Sequence, residues 1–309
     1  MYLMKQAFYI TLFIAFAYLL LGLLGQLLAI PPGNVTPVWP PSGFALACYL
    51  ILGKRSIAGI IIGAFLVNTQ AIIDASNNQL LFQNILAGLF IAAGSVLQPL
   101  IGSKLINYKS SVSELISNPS KFLYFCLVTP IICLVSSSIG STALYISGVI
   151  DLNALTKIWL TWWLGDSIGI LLLTPVILLL YSSTFRITKK LLHTIPVYIG
   201  ICVITLFSFG AFFYEGPIRY PLAFLPLPVL LIFALKFNTL HTMLGTLILS
   251  SISITLTLLW KGSFCSRGLK YLVTLITNLY CLYSCYRNDY CYFKHATKTH
   301  TANPIGTKR

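Results

Sequence analysis

The chain has 309 residues, 57% of them hydrophobic and only 8% charged, where a typical soluble domain carries about 25% charge. Its 20 Lys or Arg and 6 Asp or Glu cannot supply the polar surface of a soluble fold, and apolar runs of membrane-crossing length recur along most of it. At about 20 residues per span, the length fits an all-α, polytopic integral membrane helical bundle of about eight to ten transmembrane helices and excludes a large soluble domain.

The net charge of +14 does not point to nucleic acid, because most of the basic residues punctuate apolar segments one to three at a time. Membrane lipid is the partner that this pattern suits.

In chain order, the first apolar run covers 7–29 behind the single lysine Lys5. It is long, and the Ile30-Pro31-Pro32-Gly33 that follows lacks the small residues of a cleavage site, so it reads as a retained first span. Next comes Pro31-Pro32-Gly33-Asn34-Val35-Thr36-Pro37-Val38-Trp39-Pro40-Pro41-Ser42-Gly43, with five prolines in eleven residues. Proline forbids an ordinary helix there and imposes an extended or turn geometry. Pro41 and Ser42 suit the start of the next helix, proline where its missing N–H costs nothing and serine as a cap. Trp39 suits an interfacial anchor. Two readings stand: a shaped entry loop, or part of a ligand or sensing site with Pro32, Trp39, Pro40 and Pro41 as its candidates.

Further spans are expected at 42–53, 57–73, 83–103, 122–148, 158–180, 194–214, 221–235, 240–260 and 269–286. Those at 42–53 and 221–235 are shorter than the hydrocarbon thickness. Gly59-x-x-x-Gly63 and Gly165-x-x-x-Gly169 are spacings that permit close helix approach. Asn68 is a further candidate, a polar residue within a span like Thr69, Asn84, the run Ser136-Ser137-Ser138 and Thr142. Interhelical bonds or water contacts are the roles open to them, with packing the ordinary one.

At Trp159-Leu160-Thr161-Trp162-Trp163-Leu164-Gly165-Asp166, three tryptophans stand at a span entrance like an interfacial belt. Asp166 lies deeper, where a carboxyl needs a cavity or a partner. Trp162, Trp163 and Asp166 therefore join the candidates, Asp166 as a satisfied carboxyl, a proton or cation site, or the polar centre of a signal receiver. His193 and His241 do not converge on a ligand set, and neither a metal nor a cofactor is expected.

With the amino terminus inside, ten Lys/Arg before the tail fall on the cytoplasmic side: Lys5, Lys54, Arg55, Lys104, Lys109, Lys121, Arg186, Lys189, Lys190 and Lys236. Five fall opposite: Lys157, Arg219, Lys261, Arg267 and Lys270. That asymmetry favours ten spans with both termini cytoplasmic.

Taken together, the proline-rich element, Leu52-Gly53-Lys54-Arg55, Gly59-x-x-x-Gly63-x-x-x-x-Asn68 and Trp162-Trp163-Leu164-Gly165-Asp166-x-x-Gly169-x-Leu171-x-x-Thr174-Pro175 resemble the bacterial membrane-associated sensor family of the first type. The resemblance covers approximately residues 10–265. It implies a noncatalytic sensory input domain for signal transduction in the bacterial inner membrane, a region that in such proteins precedes kinase, cyclase or phosphodiesterase modules. No such module is expected within these 309 residues. Residues 1–264 read as the sensor domain, and 265–309 as an atypical last helix and short basic tail.

For that tail, Cys281-x-x-x-Cys285-x-x-x-x-x-Cys291 lacks the paired spacings of a zinc site. Two accounts remain: a genuine tail that meets lipid or a partner, or a truncated or frame-shifted remnant. The partners in view are lipid, a separate cytoplasmic signalling protein and a second copy of the chain. A multi-span transporter of a small solute or ion is the alternative from another class.

Overall fold

The computed structural model describes residues 2–29, 36–75, 81–106, 115–116, 118–182, 190–209, 224–237 and 239–259. Pro32, the Glu215 to Arg219 loop, the expected span at 269–286, the domain boundary at 264/265 and the cysteine-bearing tail lie outside them. Among the described residues there are nine α-helices and no strand. They are α1 (Tyr2–Gln26), α2 (Pro40–Leu52), α3 (Ile57–Ala75), α4 (Leu81–Leu105), α5 (Pro119–Ile146), α6 (Leu152–Ser182), α7 (Lys190–Phe209), α8 (Pro226–Lys236) and α9 (Thr239–Leu259). The chain forms two compact units, Met1–Thr184 and Phe185–Arg309.

Six stretches of the described residues are long and apolar enough to cross a membrane: Lys5–Gln26, Pro40–Asp74, Phe82–Leu105, Ser120–Ile146, Leu152–Ser182 and Thr239–Leu256. Thr194–Phe209 and Pro226–Lys236 are shorter apolar helices. The stretch Pro40–Asp74 is in fact two helices, broken by a tight 3-10 turn at Gly53–Ser56, where Gly53 takes φ +59 and so the left-handed conformation that glycine tolerates.

The direction of each helix in the first unit follows from what its small residues touch. Gly59 lies against Thr11 and Ile14, Gly63 against Ala15 and Tyr18, and Gly22 against Val67, so α1 and α3 run parallel. The chain reverses between them through α2, whose first turn meets Gly25 through Trp39 and Pro40. Helix α5 runs antiparallel to α4, with Gly94 on Ile139 and Gly102 on Ile132. Helix α6 returns along α5, Trp162 lying against Gly140. The six helices thus alternate in direction.

One end of this unit carries Lys5, Lys54, Arg55, Lys104 and Lys121, and the other carries Asp74, Asp151 and Lys157. Helix α5 begins cleanly because Asn118 Oδ1 accepts from the backbone N–H of Ser120 at 3.0 Å and of Lys121 at 3.3 Å, with Pro119 behind the cap where its missing N–H is harmless.

Side chains sort as lipid exposure requires. Phe8, Phe13 and Phe16 of α1 and Leu123, Leu127 and Ile131 of α5 are exposed, while Ile14, Tyr18, Ile60 and Val67 pack with Phe44 and Ala92 in one core cluster. Helix α2 is the most enclosed. Its 13 residues span about 20 Å, short of the hydrocarbon thickness, yet the helix is buried from Pro41 through Cys48, and it packs on α1, α4 and α6.

In the second unit α7, α8 and α9 pack on one another around Ile201, Leu230, Phe233 and Leu249. Its core is aromatic: the rings of Tyr198 and Phe233 lie 5.0 Å apart, and those of Phe233 and Phe237 5.2 Å.

Candidate functional site

Residues 36–39, just before α2, are not helical, and Thr36 and Val38 are buried. Irregular backbone is tolerated at membrane depth only where protein encloses it and its polar groups find partners. Here the enclosing element is α6. The Trp39 N–H donates to the Gly165 carbonyl at 3.0 Å, and Thr36 Oγ1 donates to the Val38 carbonyl at 2.7 Å.

Glycine at three positions makes this approach possible. A Cβ on Gly165 would strike the Thr36 carbonyl, one on Gly169 the Trp39 carbonyl, and one on Gly43 the Gly169 carbonyl, each well inside the 3.0 Å that real Cβ atoms keep. Thr174 Oγ1 adds a bond to the Gly43 carbonyl at 2.9 Å. The proline-rich segment and the Trp-Trp-Leu-Gly-Asp segment are therefore one structural feature, joined backbone to backbone.

Asp166 sits at this junction and is 1% exposed. Its Oδ1 accepts from Ser42 Oγ of α2 at 2.6 Å, and its Oδ2 accepts from Ser136 Oγ of α5. The carboxyl faces the first turn of α2, the positive end of that helix's dipole. Gln98 of α4 interacts with it as well, while Gln98 Nε2 donates to the Cys133 sulfur at 3.1 Å. Tyr18 of α1, 1% exposed, interacts with Ser95 and Trp39.

Five helices, α1, α2, α4, α5 and α6, thus meet at one buried polar knot. Among the described residues Asp166 makes no ion pair, and no group of three His, Cys, Asp or Glu side chains converges to hold a metal. The arrangement can keep a carboxyl inside a membrane bundle through hydroxyl and amide donors alone. A change in its proton or its partners would alter the contacts of three or more helices together.

The tryptophans fasten α6 to α5. Trp163 Nε1 donates to the Pro130 carbonyl at 2.8 Å, Trp159 Nε1 donates to Ser138 Oγ at 3.1 Å, and the Trp159 and Trp163 rings stack at 6.2 Å with 10° between planes.

The sequence model of MASE1, the membrane-associated sensor domain, matches residues 9–285, nearly the whole chain. The chain belongs to the MASE1 family. Comparison with curated proteins and with solved structures finds no match. MASE1 domains are membrane sensory input domains, and this MASE1 chain is a multi-pass membrane protein by the match and by its apolar helices together.

Of the residues singled out from sequence, Trp39, Pro40, Pro41 and Asp166 gather at the α2–α6 junction of the MASE1 fold, while Trp162 and Trp163 turn to α5, at Gly140 and the Pro130 carbonyl. Asn68 does not join them: its Nδ2 donates to the Ala64 carbonyl of its own helix at 2.8 Å. Trp39, half-buried, packs against the α1–α4 core. Ser42 does not cap α2, which has Trp39 at its N-cap and no side-chain cap bond; its hydroxyl goes to Asp166 instead. Ser136, read only as a packing residue, is the second donor. Gln98 and Tyr18 drew no attention in the sequence, although each is a polar group midway along an apolar run.

Proposed function

We propose that this chain is a noncatalytic sensory input domain of the bacterial inner membrane, in which a small ligand, ion or membrane change alters packing around the α2–α6 junction and so shifts the helix ends on the cytoplasmic side. The observation that carries this is the Asp166 knot: one buried carboxyl bonded to α2 and α5 from α6, next in chain to Gly165, whose carbonyl holds the backbone of the non-helical segment at Trp39. Such a node couples any displacement of the segment to several helices at once.

The reading places the amino terminus, Lys54, Arg55, Lys104 and Lys121 in the cytoplasm by the excess of basic charge at that end, and both termini there if the full set of ten spans is present. Output passes through a separate cytoplasmic signalling protein or a second copy of the chain, with no cofactor required. Membrane lipid surrounds the bundle.

The test is co-purification from native membranes together with deletion of the gene. A reproducible signalling partner and an output lost on deletion and altered by Asp166→Asn support the reading. No partner and an unchanged output overturn it.

A transporter is the second reading, favoured by the buried non-helical residues 36–38 beside an intramembrane acid, the arrangement in which broken helices bind substrates. Ion- or solute-dependent flux into vesicles containing the purified chain, abolished by Asp166→Asn, would establish it over the sensor.

A further inference from the structure

Between α4 and α5, in the half of the first unit where α4 begins and α5 ends, lies a groove of about 670 Å³, within the range of small-molecule sites. Its walls are Phe82, Leu86 and Phe90 of α4 and Ile139 and Ile146 of α5. Phe82 is 78% and Ile146 76% exposed, so in a bilayer the groove opens sideways into lipid. No charged residue lines it.

The lining is not wholly apolar. Gln83 of α4 and Ser138 and Thr142 of α5, all exposed, contribute to it, and the two hydroxyls differ in hydrogen bonding from the others on α5. Thr129, Ser137, Ser141 and Ser147 each donate to a carbonyl of their own helix. Among the described residues Thr142 and Gln83 make no side-chain hydrogen bond, and Ser138 only accepts one, from Trp159 Nε1, which leaves its proton to donate elsewhere. Ser138 and Thr142 stand four residues apart on one helix face, with Cβ atoms about 5–6 Å from each other. That is the span of a six-membered ring with an oxygen at each end.

We propose that this groove binds a membrane-dissolved quinone, its ring carbonyls accepting from Thr142 and Ser138 and its prenyl chain leaving between Phe82 and Ile146. The donors call for an uncharged acceptor-bearing head, the aromatic walls suit a flat ring, and the lateral opening suits a lipid-soluble tail. The site connects to the polar knot through α5: Ser138 lies two residues from Ser136, the donor to Asp166, and receives its own bond from the tryptophan that stacks on Trp163. The proposal rests on the sensor reading above and names the class of molecule sensed.

The test uses the full chain in nanodiscs of phosphatidylethanolamine and phosphatidylglycerol, photolysed with an azido-substituted prenylated benzoquinone and mapped by peptide. Saturable label in 82–90 and 138–147, displaced by unmodified quinone, is expected. Thr142→Val, which keeps the side-chain shape, should raise the half-saturating concentration about fivefold, and Leu86→Trp, which fills the groove from one wall, should abolish saturable label. Label that rises without saturation over every lipid-facing helix overturns the proposal. So does groove labelling by a photoreactive phospholipid that quinone fails to displace. Saturable quinone labelling in a chain whose deletion changes no output would sink the sensor reading and leave the site, whereas a chain required for output but without saturable label would lose only the site.

Discussion

In the first unit a Cβ added to Gly43 or Gly169 would strike a backbone carbonyl of the facing segment, whereas in the second a Cβ on Gly245 would meet the tip of the Ile201 side chain at 3.2 Å. The polar contents differ in the same way. Asp166, Ser42, Ser136 and Gln98 meet inside the first unit, while the second unit packs aromatic rings and has Tyr198 Oη bonded to His241 Nδ1 at 2.9 Å. A backbone contact has no rotamer with which to adjust, but a side-chain contact does. The α2–α6 junction of the first unit is therefore held to a single geometry, whereas the contact at Gly245 in the second can repack.

Substitutions at four positions would break or sharpen that contrast. The largest effect is expected from Gly169→Ala, which forces α2 off α6; a loss of about 3 kcal/mol or more should appear as a collapse of the monodisperse fraction in detergent. A variant with the parental melting midpoint would show that the α2–α6 contact is not fixed. Next is Asp166→Leu, which leaves the hydroxyls of Ser42 and Ser136 buried without their acceptor and should cost about 2–3 kcal/mol, with Asp166→Asn costing roughly half as much because an acceptor remains. Equal thermal midpoints for the two would deny the hydrogen bonds a structural role.

Ser42→Ala follows at about 1 kcal/mol, read from the same melting curves. It should add less than its full effect when combined with Asp166→Leu, because the two share one bond. Smallest is Gly245→Ala, under about 1 kcal/mol, since the Ile201 tip can turn aside. A fall as large as that of Gly169→Ala would erase the distinction between the units.

Much of this architecture was legible in the chain itself. The apolar runs found every described helix, and the short run at 42–53 proved to be α2, a returning helix that opens on Pro40. The two Gly-x-x-x-Gly spacings both mark close approaches. Boundaries failed where helices outlast the apolar run: α6 begins at Leu152 rather than 158, because a helix continues past the hydrocarbon while polar side chains such as Asn153 are acceptable in it.

The partners of the carboxyl were beyond reach for a different reason. Ser42 and Asp166 are 124 residues apart, and nothing local in the sequence says that a serine behind two prolines faces an acid on a distant helix. Gln98 was missed because one amide in a long apolar run reads as a packing residue until the helices are assembled.

The glycine contacts also describe how the first unit can deform. Close approaches fasten α1 to α3, α2 to α6 and α5 to α6, but between α4 and α5 an added Cβ would come no nearer than 3.0 Å: one on Gly94 would meet the Ile139 side chain at 3.3 Å and one on Gly102 the Ile132 side chain at 3.1 Å. Sliding along a packed helix pair requires contacts made by side chains that can exchange rotamers, the condition for shear. The α4–α5 seam meets it, so the first unit has one face along which two helices can slide, beside the backbone-tight α2–α6 junction that cannot.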